Sequence, residues 1–72
     1  MRTKIVQKEN RVIAQRINKG MTQGKFGEFC GVSRPVICLC EKGNPVKIDT
    51  AQKIAEALDK QINELFEIIT TS

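Results

Sequence analysis

Apolar positions recur along this chain in short runs at helical spacing, separated by glycine, proline and small polar residues. Val12, Ile13 and Ile17 form the first run, and Lys19-Gly20 closes it, which predicts a helix over about 8–18. Thr22 is a good N-cap for a second helix over about 23–30, which carries Phe26, Phe29 and Cys30 and ends at Gly31. Val32 is a short apolar link, and Ser33 opens a third helix over about 34–41. The Ser33 hydroxyl can accept a hydrogen bond from a free first-turn N–H, while Gly43 and Asn44-Pro45 forbid continuation. Asn44-Pro45-Val46-Lys47 reads as a loop. Asp49 or Thr50 can cap a fourth helix whose Ala51, Ile54, Ala55 and Leu58 lie on one stripe. Ile62, Leu65 and Phe66 mark a short fifth helix. The β-branched tail Glu67-Ile68-Ile69-Thr70-Thr71 can be extended.

Five short helices with tight links predict an all-α fold, a compact bundle making a single domain over residues 1–72. The second and third helices, joined by a three-residue turn around Gly31, predict a helix-turn-helix over about 22–42. Gly31 tolerates the positive φ that such a turn needs. Gly27 lacks a side chain where the two helices would meet, and Ile37 and Cys40 would face back into the core.

Charge changes the picture through its distribution. The net charge is +4, yet residues 1–36 set eight Lys and Arg against Glu9 and Glu28, a balance of +6, and residues 37–72 carry −2. A basic half suggests a polyanionic partner. Cys30, Cys38 and Cys40 are an odd set with no apolar leader ahead of them, which favours a reducing cytoplasm over a disulfide scaffold. No apolar run approaches the roughly 18 residues of a membrane span.

With those features in place, the run TQGKFGEFCGVSRPVICLCEKGNPVKIDTAQKIAEALDKQINELF resembles the Cro/CI (XRE) family of lambda-repressor-like helix-turn-helix DNA-binding domains. The matching marks are Thr22-Gln23, Gly27, Gly31-Val32-Ser33-Arg34, Ile37, Glu41-Lys42-Gly43, Ile54-Ala55-Glu56-Ala57-Leu58 and Glu64-Leu65-Phe66. The resemblance implies that the third helix enters the major groove of double-stranded DNA while the second crosses the backbone. It implies DNA-binding roles for Thr22, Gln23, Lys25, Ser33, Arg34, Pro35, Val36, Leu39, Lys42, Asn44 and Lys47, with Gln23 on a phosphate and Arg34, Pro35, Val36 and Leu39 facing bases. Arg16 and Glu41 would form a structural ion pair. Val36 and Leu39 depart from the family pattern, which places hydrogen-bonding side chains there. Apolar groups can meet thymine methyls but accept no hydrogen bond, so specificity would rest on Arg34, methyl contacts and DNA shape.

Two functions follow. The first is a sequence-specific transcriptional regulator, a repressor, working in the cytoplasm on the nucleoid. The second is a protein-binding module on the same fold, an antirepressor or antitoxin-like partner, whose apolar patch would be Phe29, Val36, Cys38 and Leu39. A homodimer is expected, since one such domain reads few base pairs, through a dimerising tail over 65–72 in which Leu65, Phe66, Ile68 and Ile69 meet Ile5 and Val6, pairing as short strands. The alternative is that both ends fold back over the monomer's own core. An enzyme is not expected: the chain has no histidine base, no Gly-rich phosphate loop and no nucleophile with an orienting partner. Nor is a metal or other cofactor, because Cys38 and Cys40 point about 200° apart on a helix. Cys30 and Cys40 read as core residues and Cys38 as an exposed thiol.

Overall fold

The computed structural model describes residues 2–71 and arranges them as β1 (Arg2–Gln7), α1 (Arg11–Asn18), α2 (Gln23–Cys30), α3 (Arg34–Glu41), α4 (Ile48–Ala57), α5 (Ile62–Leu65) and β2 (Phe66–Thr71). Five helices are present, but the fold is not all-α: β1 and β2 form a two-stranded antiparallel sheet. The strands pair Gln7 with Phe66, Ile5 with Ile68 and Arg2 with Thr71, so both chain ends meet within one molecule. The predicted tail is thus described through Thr71, and Ser72 lies outside the described residues. Helical periodicity could not reveal this sheet, because its partner strand at the N-terminus is only six residues long. Alternation does account for it. Ile5 and Gln7 are buried while Lys4 is exposed, the period-two pattern of a strand with one face on a core.

Several boundaries have local causes. The first helix starts at Arg11 rather than near residue 8, because Glu9 and Asn10 adopt left-handed conformations, φ 50° and 57°, that turn the chain out of β1. Thr22 caps α2 as expected, its hydroxyl accepting from the Lys25 N–H at 3.2 Å. Ser33 occupies the N-cap position of α3, yet its hydroxyl makes no capping bond, and Pro35 fills the first turn where its missing N–H is harmless. The cap of α4 is neither Asp49 nor Thr50. The helix begins at Ile48 behind Lys47, whose side chain makes no capping bond, and Asp49 sits in the first turn. Val46 explains the early start: its N–H donates to the Ile5 carbonyl at 2.8 Å, pinning the loop to β1 just before the helix. In α5 the Gln61 N–H donates to the Glu64 carboxylate at 2.6 Å.

The core draws on every layer. Val12, Phe26, Ile37, Cys40, Ala51 and Ile54 come from the first four helices, and Leu65 and Phe66 close it from the far end. Each large side chain fully removed from water contributes about 1.5–3 kcal/mol. Helices α2 and α3 approach closely at Gly27. A Cβ built there would lie 2.5 Å from the Val32 carbonyl oxygen, a backbone atom that cannot retreat. The Val32 N–H in turn donates to the Gly27 carbonyl at 2.8 Å, and Gly31, at φ 74°, turns the chain between them. The helix-turn-helix geometry is therefore enforced by backbone against backbone.

Gly27→Ala is expected to destabilise the fold by about 1–3 kcal/mol or more through overpacking. Gly24→Ala, where a Cβ meets nothing nearer than Arg34 Cδ at 3.9 Å, should instead stabilise α2 by about 0.5–1 kcal/mol. Urea midpoints of the two variants, compared with the parent, check both signs.

Candidate nucleic-acid interface

The turn at Gly31 and the contact at Gly27 set the first turn of α3 beside the N-terminus of α2. Arg34, on the first turn of α3, lies over Gly24 of α2. Gln23, Arg34, Pro35 and Cys38 line one shallow depression of about 220 Å³ at this seam. Gln23 is the first residue of α2, so its side chain stands next to the unpaired N–H groups and the positive end of that helix.

The other predicted positions spread around this seam. Thr22, Lys25, Ser33, Arg34, Pro35, Lys42 and Asn44 are exposed, Val36 is half-buried, and Leu39 is exposed at 49%. The Asn44 N–H donates to the Leu39 carbonyl at 3.1 Å, which holds the post-helix loop against the end of α3. Lys47 is grouped differently. It lines an apolar groove with Pro45, Ile48 and Ile68 under the sheet, apart from the Gln23–Arg34 depression.

Behind the seam lies a polar network. Arg16 Nε donates to Glu41 Oε2 at 2.7 Å, and its Nη2 to Oε1 at 3.1 Å, so the expected ion pair is present and two-pronged. Arg16 Nη1 also reaches the Met21 carbonyl at 3.0 Å, in the link before α2. Gln23 Nε2 donates to the same Glu41 carboxylate at 3.1 Å. Gln7, which sequence reasoning passed over, is buried at the other side of Glu41. Its Nε2 donates to the Glu41 carbonyl at 2.8 Å, and its Oε1 accepts from the Ile13 N–H at 3.4 Å. One amide thus serves the C-terminal end of α3 and the N-terminal end of α1. The available signal was the alternation that puts Gln7 on the same face as Ile5.

The basic half is not all available to a polyanion. Lys8 Nζ donates to the Asn63 carbonyl at 2.7 Å, and Arg11 Nη1 to the Glu64 carbonyl at 2.8 Å. Lys19 Nζ sits 5.1 Å from the centre of the Phe29 ring. Lys25, Arg34, Lys42 and Lys47 make no ion pair among the described residues.

The cysteines sort by face. Cys30 and Cys40 are buried and Cys38 is half-buried, and all three are free thiols. Burial pushes the Cys30 thiol up to about 11, against a small opposing pull from Lys19. It pushes Cys40 up to about 12, with the charges of Glu41 and Cys30 adding to the effect. Among the described residues, no group of three or more Cys, Asp or Glu side chains is placed to hold a metal ion. No helix among the described residues is long and apolar enough to cross a membrane.

Two helices crossing at a backbone contact, with a charged seam at the start of the second, define a helix-turn-helix protein. A family model described as helix-turn-helix matches residues 12–65, and the chain belongs to that Cro/CI-type family. Among solved structures, it is similar to the crystal structure of transcriptional regulator VanUg, Form II, with a TM-score of 0.68 over 99% of this chain and 92% of that one. At 20% identity, this likeness is one of fold. No curated protein matches the chain.

Buried thiols give a pH signature. They stay neutral in the folded chain, whereas in the unfolded chain they ionise near 9.0. Their contribution to stability is therefore complete below 9.0 and is lost as pH rises through that value towards 11 and 12. We expect the urea midpoint to fall across this alkaline window, and a Cys-directed reagent to label Cys38 well before Cys30 or Cys40. Labelling of Cys40 ahead of Cys38 would mean that α3 is rotated.

Proposed function

We propose that this protein is a sequence-specific transcriptional regulator that binds double-stranded DNA as a single domain, with α3 in the major groove. The observation that carries this reading is the seam itself. Arg34 is exposed on the first turn of α3 directly over the N-terminal turn of α2, so one surface offers a base-reading cation and phosphate-directed amides together. In this reading Gln23, Thr22 and Lys25 meet one stretch of phosphates, and Lys42 and Asn44 meet another beyond α3. Ser33 opens the helix at the DNA surface and Arg34 supplies hydrogen bonds to bases, while Pro35, Val36 and Leu39 meet thymine methyls. Lys47 lies with the groove under the sheet, apart from the Gln23–Arg34 depression, and meets phosphate from there. Occupying an operator makes the protein a repressor in this reading, working in the cytoplasm on the nucleoid.

The protein-binding alternative has one observation in its favour, the exposure of Phe29 at 42% beside that of Leu39. Phe29 stacks on Phe26 and carries Lys19 over its ring, so a cation borders the patch.

Assembly as a homodimer belongs to the same proposal, with a narrower contact than the sequence implied. Leu65, Phe66 and Ile5 are buried within the monomer. Ile68 and Ile69 remain exposed at 54% and 38%, on a strand whose outer edge has no partner among the described residues. Two copies joined there would present half-sites about 34 Å apart.

Two measurements test these statements. In binding to duplex pools, affinity should fall with salt with a log-log slope of about −0.9 per phosphate neutralised. Lys42→Ala should weaken all sequences alike, while Arg34→Ala should relax preference at one base pair, by about 1–3 kcal/mol. An unchanged sequence preference in Arg34→Ala would remove α3 from the groove. In sedimentation at micromolar concentration the parent should be dimeric and Ile68→Asp monomeric. A parent that is monomeric and binds DNA as a single copy would end the dimer proposal.

A further inference from the structure

Glu41 stands at the last position of α3, where sequence makes it the partner of Arg16 and nothing more. Its carboxylate instead meets three donors: Arg16 Nε at 2.7 Å, Arg16 Nη2 at 3.1 Å and Gln23 Nε2 at 3.1 Å. The Glu41 side chain is only 6% exposed, so water competes weakly for these bonds. A carboxylate can only accept. An amide lying against it must therefore present its NH2 group and turn its oxygen away.

That constraint acts on the residue that opens α2. With one N–H of Gln23 committed to Glu41, the carboxamide cannot flip, and its second N–H is left for a partner outside the network. Gln23 lines the depression that also contains Arg34 and Pro35, so that partner lies at the seam. Glu41 is itself fixed from two sides. The guanidinium of Arg16 balances its charge, which would otherwise repel a phosphate near Gln23. The amide of Gln7 holds its backbone carbonyl at 2.8 Å.

We propose that Glu41 is a positioning residue for DNA binding: it holds the Gln23 carboxamide in the one orientation that offers an N–H, and not an oxygen, to a backbone phosphate. The last turn of the recognition helix thereby sets the phosphate contact of the helix before it. This rests on the DNA-binding reading of Gln23 given above. Without the carboxylate the amide samples both flips and its full rotamer range, and a phosphate must then select one state. The expected loss of affinity is about 3- to 20-fold, the freedom surrendered by a glutamine side chain on being fixed.

A double-mutant cycle on the full chain tests this by DNA affinity at fixed salt. Glu41→Gln should weaken binding to all duplexes alike when Gln23 is present, and should cost nothing further in the Gln23→Ala background. Because Gln23 is uncharged, the salt slope should not change in Gln23→Ala, nor in Arg16→Gln/Glu41→Gln, which keeps the net charge. Where Glu41→Gln alone unfolds by stranding the Arg16 guanidinium, the cycle is run with Arg16→Gln/Glu41→Gln, which removes the unpaired charge. An equal loss in both backgrounds would make Glu41 merely structural and overturn the proposal. So would a Gln23→Ala variant that binds as tightly as the parent, with DNA binding itself left standing. Failure of the parent to bind any duplex at low salt would instead overturn the regulator reading beneath it.

Discussion

Most of the fold converges on one nearly closed ion pair. Bringing Arg16 and Glu41 out of water carries a desolvation penalty of several kcal/mol per ion, and their mutual attraction offsets it only where the remaining polar atoms are also satisfied. Here they are. Arg16 spends a third nitrogen on the Met21 carbonyl, and Glu41 takes Gln23 as an additional donor. Among the described residues no buried side-chain nitrogen or oxygen lacks a partner. The pair joins α1 to the end of α3, Met21 brings in the link before α2, and Gln7 attaches β1. Four elements are thus held by groups that would each be costly to leave unpaired. Such a network specifies a unique arrangement more sharply than apolar packing among interchangeable aliphatics.

The same arrangement divides the surface. Cations on α1 and the turn before it are drawn into the body, Lys8 and Arg11 onto α5 carbonyls and Arg16 into the core. Those around the seam are left to solvent. The charge asymmetry between the halves of the chain therefore overstates the field at the seam. What distinguishes the seam is placement: a helix N-terminus, an oriented amide and an exposed guanidinium within one small depression.

How much of this was legible in sequence follows from the range of each constraint. The bounds of α2 and α3 were readable to the residue, because Thr22, Gly31 and Pro35 act locally on the backbone. Gly27 could be singled out for the same reason. The start of α1 was misplaced, since nothing in Glu9 announces a left-handed conformation. The tail was legible as extended and Ile5 and Val6 as its partners, but whether that pairing closes within one chain or between two was not, because Ile5 and Ile68 lie nearly the whole sequence apart. Ser33 was correctly located but wrongly given a hydroxyl bond, a detail below the resolution of any pattern. Alternation could place Gln7 on the face of Ile5, but its use lies in two helix ends that only the folded chain brings within reach of one amide.

The ribbon that joins the two ends also bears on how the molecule holds together. Pairing Arg2 with Thr71 closes a loop of nearly the entire chain, whereas the helices and their turns are stabilised by near neighbours. For a flexible chain, closing a loop of this length costs about 2 kcal/mol more than closing a ten-residue hairpin. Two short strands do not offset that unaided. They are stable only where the helical body has already brought Ile5 and Phe66 close together. The sheet is in this sense a dependent structure, a clasp that shuts on a finished body. It makes the paired strands report on the integrity of the helices between them: where the helical body is lost, the clasp opens.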